Sequence, residues 1–318
     1  MTDDLSAGER EWFTLKFRVR YAEAHGQAFQ DLFADLMEKA HAGDFVRVRA
    51  HGPLGDEKCD GYLSSEGRLF QVYATQSQPL GDLLRKIATD FPGAREHWGP
   101  RMRAWALVHN HGLPPAVVKQ LDDLRAAHPD VVIEHWDMER LRSLLDRMTR
   151  RQLEDLFGRP PEARDFQRLG FAELSPVIRS LAARLADADV ILDAPIAPVP
   201  VAKLQANHLS PATARLIRLG REGDPTLEDY FARHHDPTLG ERVAAGYRAA
   251  YARLRRDGWG PDDLFARLVE LTGGASAESG RAAAVYTILA YFFERCDIYE
   301  AAPPTPQGSD DPADQAPP

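Results

Sequence analysis

Lys58, Asp60, Gln71 and Tyr73 are the residues of this sequence whose types and spacing suit chemistry at a phosphate. They lie in GPLGDEKCDGYLSSEGRLFQVYA, residues 52–74, where the apolar runs CDGYL and RLFQVYA flank Ser64, Ser65, Glu66 and Gly67. A short polar connection containing glycine commonly joins two antiparallel strands, so the stretch predicts a β-hairpin. Alternate residues of a strand share a face, which groups Lys58, Asp60 and Tyr62 on the first arm and Gln71 and Tyr73 on the second. Pairing with those faces aligned brings an aspartate, a lysine and an amide to one side of a sheet. Magnesium takes a few carboxylate and carbonyl oxygens and keeps part of its water, so such a cluster suits a divalent metal beside a phosphate. The competing explanation is a structural turn that carries surface charges.

The elements that must position this hairpin follow from the hydrophobic periods around it. Residues 12–20, WFTLKFRVR, alternate roughly between apolar and polar side chains and are compatible with a strand or with the start of a helix. Over 22–40, Ala28, Phe29, Leu32, Phe33, Leu36 and Met37 recur at helical spacing. Residues 44–50, DFVRVRA, alternate and lead into the hairpin as a strand. Helical spacing returns over 80–90 and is expected to stop at Phe91, Pro92 and Gly93. The apolar run in 102–108 suits a buried strand, 114–128 a helix with Pro115 in its first turn, 131–136 another strand and 138–148 another helix.

Strands alternating with helices after a hairpin indicate an α/β domain with a mixed sheet over residues 1–150. Residues 151–169, which contain GRPP, predict a linker with a short helix. Residues 170–300 read as mainly α-helical, with helices over 174–186, 212–219, 239–255, 262–271 and 280–295. Only the proline-punctuated 190–201 interrupts them. The tail, 301–318, is rich in proline and acid and poor in bulky apolar groups, and is expected to be disordered.

The 318 residues are enough for two domains with cores of their own. A composition 44% hydrophobic and 27% charged is that of a globular protein. The net charge of -9 argues against the long-range basic field of a strong, non-specific nucleic-acid binder, while leaving room for a local basic cleft. Cys59 and Cys296 form neither a CxxC pair nor a secreted disulfide framework, so free thiols in a reducing compartment are expected. MTDDLSAGEREW has no apolar core, which speaks against a secretory signal, and no run approaches the ~18 apolar residues of a membrane span. The expectation is a cytoplasmic protein with no membrane partner.

Gly55-Asp56, Cys59-Asp60-Gly61 and Gln71-Val72-Tyr73, with the helix before them and the strand and helix after, resemble the restriction-endonuclease-like superfamily. The resemblance covers about the first half of the chain. It implies a Mg2+-dependent DNA endonuclease in which Asp60 binds the metal, Gln71 completes the metal site and a lysine orients the attacking water. The chain departs from that pattern in two places. Tyr73 stands where the lysine is expected, and Gln30 follows Phe29 where the family's helix has an acid. A tyrosine hydroxyl, with an ordinary pKa near ~10, is a poor substitute for an ammonium group at an oxyanion. Lys58, two residues before Asp60, is the candidate replacement. The alternative is a binding or scaffold module that keeps the fold without cleaving, and a third possibility is a ligand-sensing domain on the same scaffold.

KLQANHLS, residues 203–210, and YFFERCDIYE, residues 291–300, look like the C-terminal domain of proteins of ABC-three-component systems, bacterial defence modules that include the Lamassu type. This second resemblance implies partners rather than a reaction: an SMC-like ABC ATPase and a middle-component protein, onto which residues 170–300 dock. A plainer account of the same segment is a core helix, because Tyr286, Ile288, Leu289, Tyr291, Phe292 and Phe293 make it apolar on most sides. Glu294, Cys296 and Asp297 then belong to its end.

The remaining candidates have structural explanations. His109-Asn110-His111 follows a strand, where α/β proteins place functional loops, yet loop polarity and turn formation account for it better. His234-His235 precedes Asp236-Pro237 in a second loop, and Arg253, Arg255 and Arg256 fit a solvated helix face. No GxxxxGK[ST] loop, GxSxG elbow or zinc-spaced cysteine set occurs, so the chain is not itself the ATPase.

Overall fold

Ser6 and Glu9 open the first helix by bonding each other's backbone: the Ser6 side chain accepts from Glu9 N–H, and the Glu9 carboxylate accepts from Ser6 N–H at 2.9 Å. This reciprocal cap starts α1, Ala7–Glu23, and settles residues 12–20 as helix. Trp12, Phe13, Leu15, Phe17 and Val19 are all buried, so the helix is covered on several sides and loses the one-sided period that would have announced it. A computed structural model describes residues 5–48, 58–74, 80–185, 208–274 and 279–295. The proline-punctuated stretch 190–201, the 301–318 tail, Cys296 and most of KLQANHLS lie outside them.

The single helix expected over 22–40 is instead a break followed by α2, Gln27–Ala40. Gly26 adopts φ 53°, a conformation glycine enters without a Cβ clash, and its N–H bonds the carbonyl of Ala74 at 2.6 Å. Five strands follow: β1, Phe45–Arg47; β2, Gly61–Leu63; β3, Arg68–Tyr73; β4, Ala104–His109; and β5, Val132–Trp136. They lie in the order β1-β2-β3-β4-β5. The first three pair antiparallel, whereas β4 and β5 add in parallel, so the sheet is mixed. The expected hairpin forms between β2 and β3, with Gly61 opposite Phe70 and Gly67 at φ 58° in its turn.

α3, Leu80–Trp98, links β3 to β4; α4, Pro115–Ala127, links β4 to β5; α5, Met138–Leu145, follows β5. The expected stop at Phe91-Pro92-Gly93 does not occur, and Pro92 sits inside α3. Phe91 and Ala94 on either side are fully buried, with Phe91 edge-on to Trp105 of β4, so tertiary burial holds the helix together across the missing N–H. The 151–169 stretch carries α6, Arg150–Phe157, and α7, Ala163–Gln167.

The second half is helical as expected among the described residues: α8, Phe171–Leu185; α9, Pro211–Gly220; α10, Asp224–Arg233; α11, Leu239–Arg256; α12, Pro261–Thr272; and α13, Ser279–Arg295. The periodicity missed α10, a short helix that begins with Asp224-Pro225 and buries only Leu227 and Tyr230. α13 is the core helix that YFFER suggested, with Tyr291, Phe292 and Phe293 buried.

Each face of the sheet is covered. Cys59, Leu69, Tyr73, Trp105, Leu107 and Ile133 pack with α3 and α4 on one side. Phe70, Val72, Ala106, Val108 and Trp136 face the other side, in an apolar core that continues through α1, α2 and α5 into the C-terminal helices. Both faces of β4 are consequently apolar, and all six of its residues are buried.

Candidate functional site

Asp60 lies just before β2 and is held in the ladder by its backbone: its N–H donates to Phe70 C=O at 2.8 Å and its C=O accepts from Val48 N–H at 3.3 Å. Continuing the register from Gly61 and Phe70 places Asp60 opposite Gln71. Asp60 Oδ2 accepts from Gln71 Nε2 at 3.0 Å and from Val72 N–H at 2.7 Å. The period-2 pattern therefore brings the aspartate and the amide together. Gln71 is buried, and its Oε1 has no hydrogen-bond partner.

Tyr73 shares the Gln71 face and is 3% exposed beneath α3. Its hydroxyl donates to Asp90 Oδ2. Lys58 Nζ lies 3.2 Å from Asp90 Oδ1, and Lys86 Nζ lies 4.6 Å from the centre of the Tyr73 ring. Lys58 does not reach this group by strand alternation, because it precedes β2 and has φ 59°. Its side chain crosses α3 at Gly93, where an added Cβ would stand 2.9 Å from Lys58 Cγ. The lysine is about half exposed, and Asp90 is only 5% exposed.

Asp90 and Gly93 are the site residues that sequence pattern missed. Asp90 stands in a helix that period alone ends there, and only the folding of α3 over β3 brings it to Tyr73.

The carboxylate oxygens are heavily engaged. Asp60 Oδ2 takes two donors and Asp90 takes Lys58 and Tyr73, which leaves Gln71 Oε1 as the buried acceptor without a partner. Among the described residues no three of histidine, cysteine, aspartate or glutamate gather as a metal-binding group. Gln71 presents Nε2 rather than Oε1 to Asp60, so the pair would hold a magnesium ion only with the amide turned over.

The other candidates separate from this cluster. His109 ends β4, and its Nδ1 accepts from His111 N–H at 3.2 Å; burial pushes its pKa down. His234 Nδ1 accepts from Asp236 N–H at 3.1 Å, which closes a turn. Arg253, Arg255 and Arg256 are exposed in the last turn of α11, where cations oppose the helix dipole. No described helix is long and apolar enough to cross a membrane.

Residues 172–300 match the family model of C-terminal domain 10 of the ABC-three component (ABC-3C) systems. The match covers α8 to α13 and supports membership of a system of several components. No curated protein and no solved structure matches the chain.

Proposed function

We propose that this protein is the component of a bacterial ABC-three-component defence system, acting against phage or plasmids, that carries a divergent nuclease-like domain. The match over 172–300 supports the system; in this reading the helical half docks onto an SMC-like ABC ATPase and a middle-component protein in the cytoplasm. For the first half the supporting observation is Asp60 at the head of β2 bonded to Gln71 on β3. The surrounding order also fits: α2, three antiparallel strands, a crossover helix and a parallel strand. In this reading Asp60 and Gln71 hold Mg2+, which supplies charge stabilisation at a DNA phosphate. Lys58, at the exposed edge of the cluster, contributes a positive charge beside the phosphate. Tyr73 anchors Asp90, which in turn orients Lys58.

A second reading, a DNA- or protein-binding module that does not cleave, is favoured by the same Asp90. Its carboxylate sits against the Lys58 ammonium, and the position of the usual lysine is filled by a buried tyrosine.

Supercoiled plasmid incubated with the full chain and its reconstituted partners, in Mg2+ or Mn2+, separates the two. The expected result is nicking that falls on the order of a hundredfold in Asp60→Ala and Lys58→Ala, the size of loss seen when a charge-stabilising group is removed. Unchanged nicking in both variants overturns the site assignment, and no nicking by an intact complex establishes the non-cleaving module. Failure of the full chain to co-purify with an ABC ATPase and a middle-component protein would sink the system assignment itself.

A further inference from the structure

The chain leaves β4 towards α4 on one face of the sheet and leaves β5 towards α5 on the other. Val117 and Leu121 of α4 pack with Trp105 and Leu107, whereas Leu141 and Leu144 of α5 join the opposite core. Loops that part in this way at the carboxyl ends of parallel strands open a crevice, the usual ligand position in open α/β sheets. Here the crevice has a volume of about 550 Å³, within the ~300–1,000 Å³ range of small-molecule sites. α1 and α12 close its other sides, so both halves of the chain build it.

Three features define what fits. The walls offer two aromatic rings, Tyr21 from α1 and Trp259 before α12, together with Leu113, Val118 and Met138. Trp259 is 40% exposed, and its indole carries the Arg267 guanidinium 4.4 Å from the ring centre. Asn110 and His135 also line the space, and Asn110 Oδ1 and His135 Nε2 have no hydrogen-bond partner although both atoms are buried. Asn110 itself is only 8% exposed. Finally, the arginines are already opposed by carboxylates: Arg18 lies 2.7 Å from Asp263 and 3.9 Å from Glu139, and Arg267 lies 3.8 Å from Glu270.

We propose that this crevice binds an uncharged nucleoside, its base stacked on Trp259 and its edge bonded by Asn110 and His135 once those side chains turn their buried, unpaired atoms toward it. An amide and an imidazole together supply the donor and acceptor pattern that a base edge requires. A ring system uses the aromatic wall. Among the described residues the two arginines lining the crevice each lie within 4 Å of a carboxylate, so neither is offered outright to a phosphate. Because α12 belongs to the helical half and the Asn110 loop to the sheet, an occupied crevice ties the two halves together. The site is separate from the Asp60 cluster and does not depend on how that cluster functions.

Isothermal titration of the full chain with adenosine and guanosine, and with the corresponding 5′-monophosphates, tests the assignment. Trp259 and Val118 are exposed at 40% and 44%, so Trp259→Ala and Val118→Lys leave the fold intact, which circular dichroism verifies. The expected result is saturable binding of at least one nucleoside, weakened about tenfold or more in Trp259→Ala, as loss of one base–aromatic stack predicts, and weakened in Val118→Lys, which sets a long charged side chain in the crevice. The monophosphate is expected to bind more weakly than its parent nucleoside. Absence of saturable binding by both nucleosides at millimolar concentration overturns the proposal. So does binding that neither variant weakens, or a monophosphate that binds more tightly than its nucleoside.

Discussion

Lys16 shows how a single residue bears the consequences of burial. It is 1% exposed in α1, and desolvation lowers its pKa to about 8, against the partly compensating charge of Glu23. Below about pH 8 the lysine is charged in both the folded and the unfolded state, and burial of that charge lowers stability by its full amount. Between about pH 8 and the unfolded value of 10.5, the unfolded chain holds more protons, so the contribution of Lys16 to stability rises with pH and the penalty fades. At ~1.4 kcal/mol per pKa unit, the penalty is on the order of 3 kcal/mol at neutral pH. Lys16→Met is therefore expected to raise the unfolding midpoint at pH 7 and to lose that advantage towards pH 10, measured by urea denaturation across the range. A gain that does not diminish with pH would count against this explanation. The ammonium also lies 5.4 Å from the Trp12 ring, a contact that the methionine gives up.

At the scale of the element, α3 decides what becomes of the hairpin site. A helix ending at Asp90 would still lay Lys86 and Asp90 on Tyr73 but would lack the Gly93 surface that Lys58 crosses. The observed helix continues to Trp98, covers Tyr73, and delivers Asp90 and Gly93 to Lys58. Pro92 opposes this continuation, since an internal proline costs a helix ~3 kcal/mol through the missing N–H and the ring clash. Proline also restricts the unfolded chain, which returns ~0.4–1 kcal/mol. The helical cost is the larger, so Pro92→Ala is expected to stabilise the protein by about 2 kcal/mol or slightly more in thermal or chemical denaturation. A destabilised variant would mean that α3 is kinked to suit the proline.

Across the whole molecule, α1 couples the two halves. It packs against α9 and α12, Phe13 meets Phe157 of α6 at 6.4 Å between ring centres, and Arg18 bonds Asp263 at 2.7 Å. The core on this side of the sheet runs from Leu5 to Phe293 without a boundary near residue 150. Cutting there strips partners from several large apolar side chains of α1. Each such side chain is worth ~1.5–3 kcal/mol when fully buried, against a total domain stability of ~5–15 kcal/mol. A fragment of residues 1–150 is thus expected to lack a cooperative unfolding transition while the full chain retains one. A sharp transition in the isolated fragment would show that its own two sheet faces suffice.

By itself the sequence determined what local periodicity can encode. The 2-residue alternation and the Ser64–Gly67 turn specified the hairpin, and with it the meeting of Asp60 and Gln71 across neighbouring strands. Helical spacing announced α2, α4 and most of the C-terminal helices, each with one clear apolar stripe. Helices that break that condition were left open, missed or cut short: α1 is buried on several sides, α10 scarcely buries a stripe, and α3, announced over 80–90, runs on through a proline. Tertiary structure alone decided which element covers which face. It set Asp90 on Tyr73, brought Lys58 to Asp90, and assembled the crevice from segments near residues 18–22, 110–118, 135–139 and 259–267. The reason is physical: side-chain period records that a face must be buried, whereas the identity of its cover depends on contacts between segments remote in sequence.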